Sequence, residues 1–136
     1  MYLADTNVVS ELMRPAPDAG VQQWMQRLER AGLPVVISVM TIDEIVFGLE
    51  RRHHAAKKVW FDRFLLICTV LPVTDGIARR AGEMRALLAA QGRVRQQTDM
   101  LIAATAQIHA LTLVTRNVRD FDGCGIAVLN PFTFTG

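Results

Sequence analysis

Five short apolar runs, separated by stretches of helical period, constrain this chain more than any other feature. They fall at residues 2–4, 35–39, 69–73, 111–115 and 126–129. The second, Val35-Val36-Ile37-Ser38-Val39, is short, continuous and β-branched, as a strand buried on both faces requires. Strands alternating with helices close into a parallel sheet with helices packed on each side. The expected fold is therefore α/β: a three-layer α/β/α sandwich around a central, mainly parallel sheet. A chain of 136 residues buries a substantial core as one domain, so a single unit over residues 1–136 is expected.

The intervening segments carry helix signals. A short helix is expected over 6–13, broken by Pro15 and Pro17. Asp18 caps a second, with Val21, Trp24, Met25 and Leu28 on one stripe and Gly32 at its end. After the second strand, Ile42, Ile45, Val46 and Leu49 follow helical spacing, and Thr41 with Glu44 has capping-box spacing. Further helices are expected over about 55–68, from an Asp75 cap to Gly92, and from a Thr98 cap through Ile108. Residues 93–97 read as a loop and 116–120 as a polar turn.

Composition narrows the function classes. Net charge is only +2, which by itself does not mark a nucleic-acid protein. Arg51, Arg52, Lys57, Lys58 and Arg63 nevertheless cluster, as phosphate contacts or as solvated helix faces. Arg93, Arg95, Arg116 and Arg119 flank later acids. Cys68 and Cys124 lack metal-ligand spacing and read as reduced packing residues. His53, His54 and His109 have no partner at zinc-site spacing and receive no catalytic role. No apolar run spans a bilayer and no basic leader precedes one, so the expected compartment is the cytoplasm, with no membrane contact.

The acids carry the chemistry. Asp5 ends the first run, Glu44 follows the second strand, Asp99 opens the helix after the 93–97 loop, and Asn117 and Asp120 follow the fourth run. Each has a bland reading as a cap, a dipole partner or a turn residue. Their shared position at strand ends and helix starts points instead to one sheet edge, where open α/β folds bind ligands. Carboxylates about 4 Å apart repel by roughly 1 kcal/mol in water-like surroundings and about 4 kcal/mol at an effective dielectric of 20. Gathering several acids implies a cation, and oxygen-only ligands suit Mg2+ or Mn2+ rather than Zn2+. An ion held there would activate water and neutralise a phosphoryl group, the requirements of phosphodiester hydrolysis. Arg116 or Arg119 then contacts the substrate backbone or neutralises the rim.

The sequence resembles the PIN-domain ribonucleases, in particular VapC/FitB-type toxins of bacterial toxin–antitoxin pairs. The resemblance rests on four stretches in order. They are Leu3-Ala4-Asp5-Thr6-Asn7-Val8-Val9-Ser10-Glu11-Leu12, Ser38-Val39-Met40-Thr41-Ile42-Asp43-Glu44-Ile45, Thr98-Asp99-Met100-Leu101-Ile102-Ala103-Ala104-Thr105-Ala106 and Leu113-Val114-Thr115-Arg116-Asn117-Val118-Arg119-Asp120-Phe121. It implies Asp5, Glu44 and Asp99 as metal ligands, with Asn7 and Thr115 orienting them. The family often has a fourth carboxylate where this chain has Asn117, so Asn117 or Asp120 completes the catalytic set. It also implies a homodimer, an RNA substrate, Mg2+ or Mn2+ as cofactor, and a cognate VapB/FitA-like antitoxin that alone contacts operator DNA. The apolar helix around Trp60, Phe61 and Phe64, wider than one core face requires, agrees with a dimer. Two rival readings stand beside this one. The first is a catalytically weak binding module that acts in antitoxin-dependent operon regulation. The second, a small-molecule phosphatase, lacks the second acid that chemistry commonly needs two residues after Asp5.

Overall fold

A computed structural model describes residues 1–135. Its order is β1 (Tyr2–Ala4), α1 (Thr6–Leu12), α2 (Ala19–Ala31), β2 (Val35–Ser38), α3 (Val39–Arg52), α4 (Ala55–Ile67), β3 (Cys68–Leu71), α5 (Asp75–Ala90), α6 (Gln97–Ile108), β4 (Thr112–Val114) and β5 (Val128–Leu129). Two 3₁₀ turns, Val118–Phe121 and Pro131–Thr133, flank β5. The strands form one sheet in the order β3-β2-β1-β4-β5, every pair parallel. β1 lies at the centre. The chain winds outward from it through β2 to β3, then crosses to the other side for β4 and β5. The direction reverses between β1 and β4, and such a reversal opens a crevice beyond the strand ends.

Side chains alternate across the sheet, so each strand feeds two cores. Leu3, Val36 and Leu113 point to one face and pack with Ile77, Ala81, Met84 and Leu88 of α5 and with α6. Ala4, Val35, Ile37 and Val114 point to the other, against Val8, Val9, Trp24, Leu28, Phe61 and Phe64. This is the α/β/α sandwich. Each fully buried large side chain contributes roughly 1.5–3 kcal/mol by leaving water. α6 is the most enclosed helix that bears a site residue: Met100, Ile102, Ala103, Ala104 and Ala106 are all inaccessible to solvent. Its small residues let α5 pack closely. Thr105, also buried, satisfies its hydroxyl on the Leu101 carbonyl at 2.7 Å. α4 buries Phe61 and Phe64 but exposes Val59, Leu66 and Ile67, so its apolar surface does exceed one core face. Among the described residues no helix is long and apolar enough to cross a membrane.

Local signals are honoured at some helix ends and displaced at others. Asp18 caps α2, accepting from the Gly20 and Val21 amides, and Gly32 ends it at φ 66°. α3 begins earlier than its sequence spacing suggests: Ser38 caps it by accepting from the Met40 amide. Thr41 and Glu44 therefore form no capping box, and Glu44 sits beyond the first turn. α5 is capped by Thr74, with Asp75 its first residue and paired to Arg79. α6 is capped by Gln96 without a side-chain bond, which leaves Thr98 inside the first turn. Cys68 and Cys124 are unpaired thiols, as expected.

Gly20 explains how α2 meets the chain's end. A Cβ there would fall 2.4 Å from the Pro131 carbonyl oxygen. Gly20→Ala is therefore expected to destabilise the fold by about 1–3 kcal/mol despite alanine's better helix propensity. Gly82 of α5 has nothing within 4 Å of such a Cβ. Gly82→Ala is expected to stabilise by about 0.5–1 kcal/mol. Urea denaturation of the two variants checks the contrast, and equal shifts would contradict this packing.

Candidate active site

The register of β1 and β4 builds the centre of the site. Ala4 lies opposite Val114, so Asp5 and Thr115 are the next pair beyond the strand ends. The Asp5 amide donates to the Val114 carbonyl at 2.9 Å, extending the ladder by one bond. The Thr115 hydroxyl donates to Asp5 Oδ2 at 2.8 Å. That hydroxyl also accepts from the Asn7 side-chain amide (3.2 Å) and the Asn117 backbone amide (3.1 Å), which fills its bonding capacity. Asn7 donates to Asp5 Oδ2 as well, at 3.1 Å, and accepts the Arg116 backbone amide on its Oδ1. Both amide ends of Asn7 are thereby committed, and its orientation is fixed. Asp5 Oδ1 accepts the Thr6 amide at 2.8 Å, so Asp5 is the N-cap of α1 as well as the floor of the site.

The second acid is tied to the same turn. Thr6 Oγ1 donates to Glu44 Oε1 at 2.5 Å, and the Thr6 and Thr41 hydroxyls lie 3.1 Å apart. Thr6 thus links the start of α1 to α3. The pair that reads in sequence as a capping box is a pair of contacts to Thr6. Asp99 enters from the first turn of α6, and Asp120 from the 3₁₀ turn after β4. Together they line a cavity of about 490 Å³, with Asp5, Thr6, Asn7, Glu44, Arg95, Asp99, Asn117 and Asp120 on its walls. The five residues read as ligands or catalytic groups, Asp5, Glu44, Asp99, Asn117 and Asp120, therefore line one space. Arg95 joins them, its Nε donating to the Asp120 carbonyl at 2.9 Å. Arg116, with Arg119 a candidate for substrate contact or rim charge, stacks on Phe132 with 4.6 Å between guanidinium and ring centre. Thr6 and Gln96 are lining residues that sequence reasoning passed over. Only the position of Thr6, between two acids of the first motif, pointed to it.

Electrostatics show how close this gathering is. Burial pushes the Asp5 carboxyl above its ordinary value. Hydrogen bonds from Thr115, Thr6 and Asn7 oppose that, and the charge of Asp120 adds to it. Asp99 is pushed up to about 6, first by burial, then by the charges of Asp5, Asp120 and Glu44; Arg95 pulls the other way. Asp120 acts on both, so its charge is felt at Asp5 and at Asp99. The donors are hard oxygens, and neither His nor Cys lines the cavity. Among the described residues no three acids stand close enough to enclose one ion. This set fits a small divalent cation that keeps part of its water, as Mg2+ does, and not an all-protein cage.

Fold and cavity together define a doubly wound parallel α/β protein with an acidic cleft at its topological switch point. Residues 2–123 match the PIN domain family, and the chain belongs to that family. It is similar to toxin FitB of Neisseria gonorrhoeae, 32% identical over 139 residues, covering 97% of this chain and 99% of that protein. Ribonuclease VapC10 of Mycobacterium tuberculosis is 36% identical over 122 residues, 89% of this chain and 86% of its own. The crystal structure of FitAcB from Neisseria gonorrhoeae superposes with a TM-score of 0.85 at 31% identity, over 98% of this chain and 100% of that one.

The raised Asp99 carboxyl has a consequence for stability. Its proton is held more tightly in the folded than in the unfolded chain, so this group's contribution to stability falls as pH rises from about 4 to about 6. Asp99→Asn is expected to raise the melting temperature with chelator at pH 7, solvent screening at this half-buried site limiting the gain to about 2–5 °C. At pH 4 the gain should vanish. Thermal denaturation at both pH values checks this, and a gain of equal size at pH 4 would contradict it.

Proposed function

We propose that the chain is a metal-dependent endoribonuclease toxin, neutralised by a cognate antitoxin. The observation that carries this is the convergence of Asp5, Glu44, Asp99 and Asp120, from four separated segments, on one cavity. Such repulsion is sustained in a fold when a cation relieves it. Relatives named as ribonucleases and toxins supply the substrate class. Neighbours titled as complexes such as FitAB bound to a DNA fragment support an antitoxin partner that carries the operator contact.

Asp5, Glu44 and Asp99 would hold a Mg2+ or Mn2+ ion partly through its bound waters rather than by three direct contacts. That ion supplies charge neutralisation at the phosphoryl group and a lowered pKa for water. The protein's own part is orientation. Thr115 and Asn7 fix Asp5 so that Oδ2 is held by two donors and Oδ1 by the α1 amide. Thr6 holds Glu44 Oε1, and Glu44 lines the cavity. Asn117, exposed beside the cavity, offers a carbonyl and an amide for hydrogen bonds, and Asp120 offers charge. Arg95, anchored on the Asp120 carbonyl, keeps a positive charge at the rim of the cavity.

Asp5→Asn and Glu44→Gln are each expected to lower Mn2+-dependent RNA cleavage by at least about 100-fold and to abolish growth arrest on expression. Thr6→Val and Thr115→Val, which remove hydroxyls bonded to Glu44 and Asp5, are expected to cost roughly 10–100-fold. Wild-type cleavage by both Asp5→Asn and Glu44→Gln would refute the assignment. A wild-type protein that neither cleaves RNA nor binds Mn2+ would establish the binding-module reading instead.

A further inference from the structure

An RNA strand is repelled by an acidic cleft, and a net charge of +2 provides little overall attraction. Affinity must come from local cations near the cleft. Most cations in this chain are already engaged. Arg14 pairs with Glu11, Lys58 with Glu50, Arg79 with Asp75 and Arg80 with Glu83. Arg51 stacks on Phe47, and Arg93 and Arg95 donate to backbone carbonyls. Arg52 and Lys57, by contrast, make no side-chain hydrogen bond or ion pair among the described residues. Both line a second cavity of about 250 Å³, bounded by the end of α1, by α3 and by the start of α4, which shares Glu44 with the acid cleft. Arg30, Arg63, Arg85 and Arg119 are also unpaired among the described residues, but none of them lines the acid cleft or a cavity that shares a residue with it.

Three features shape this groove. His53 turns the chain between the two helices in the left-handed conformation, at φ 49°, which brings the last turn of α3 beside the first turn of α4. His54 Nδ1 accepts the Lys57 amide at 3.3 Å, so its hydrogen is on Nε2 and free to donate. Gly48 lies on the groove floor within α3, where glycine is disfavoured relative to alanine. No packing requires it, since a Cβ there would have nothing within 4 Å. The missing side chain keeps the floor low. The positive end of the α4 dipole adds to the field of Arg52 and Lys57.

We propose that this groove is a phosphate subsite for the single-stranded RNA flanking the scissile bond, with Arg52 and Lys57 as its cationic walls. The inference rests on the ribonuclease reading and adds the path by which substrate enters: along the α3–α4 groove, past Glu44, into the acid cleft. The two cavities divide the work, the cleft for the cation and the groove for phosphate.

The test is fluorescence anisotropy of a short labelled single-stranded RNA against salt, with chelator present to hold off cleavage, followed by Mn2+-dependent kinetics. The variant is Arg52→Ala with Lys57→Ala. Its control, Arg51→Ala with Lys58→Ala, removes equal charge from the same helices outside the groove. For the groove variant, affinity at low salt should fall at least tenfold. The slope of log affinity on log salt should become shallower by about 1.4, from two lost contacts at roughly 0.7 each on a single strand. KM should rise with kcat nearly kept, and the control should retain most of the wild-type slope. Gly48→Leu, which fills the floor without changing charge, should weaken binding at an unchanged slope. An unchanged groove variant, or a control that loses as much, overturns the subsite while wild-type cleavage leaves the ribonuclease reading intact. RNA binding kept while antitoxin affinity is lost would make the groove a protein-docking surface and overturn it too. A wild-type protein that neither binds nor cleaves RNA overturns both readings.

Discussion

The hydrogen bond from Thr115 to Asp5 joins the two central strands beyond their ends, and the rest of the site depends on it. It exists because β1 and β4 are parallel neighbours in a register that sets Ala4 against Val114. The same hydroxyl orders Asn7 and the Asn117 amide. Asn7 in turn holds the Arg116 amide, which fixes the path of the loop leading to Asp120. One buried threonine therefore connects the first acid, the asparagine beside it and the turn that carries the last acid. A second threonine does the same on the other side, where Thr6 connects α1 to Glu44 across 38 residues of sequence. Asp5 and Glu44 are held by hydroxyl and amide donors rather than by Lys or Arg partners.

Gathering these acids opposes stability. A carboxylate pushed up to about 6 is one whose ionised form the fold disfavours. The helix bearing Asp99 is well buried, with its Ala103, Ala104 and Ala106 in the core shared with α5. Strain kept at a functional site and supported by a well-packed surround is a general pattern in proteins. Here the surround is the two-sided core of a five-stranded sheet, and the strained element is a set of like charges. Arg95 moderates it without neutralising it, because its guanidinium is spent on backbone carbonyls.

Much of this was legible in the residues. The β-branched run at Val35–Ser38 declared a buried strand, and the alternation of such runs with helical periods declared the layers. Asp18 and Gly32 marked the ends of α2 because capping and left-handed geometry are local. The acids declared themselves by standing at strand ends and helix starts. Strand order was not legible, since which strand neighbours which is decided by tertiary packing. Helix starts were misplaced where apolar residues continue unbroken from strand to helix, as at Ser38-Val39-Met40, or where the cap has no side-chain bond, as at Gln96. The Thr6–Glu44 contact and the turning of Arg116 onto Phe132 are long-range events that no local pattern encodes.

The central claim is that the acid cleft binds a divalent cation through Asp5, Glu44 and Asp99. Calorimetric titration of Mn2+ into the chelator-treated, dialysed protein tests it most directly. Saturable binding is expected for the wild type, lost in Asp5→Asn and retained in Arg116→Ala, whose side chain faces Phe132. Absence of binding by the wild type, or equal binding by Asp5→Asn, would contradict it.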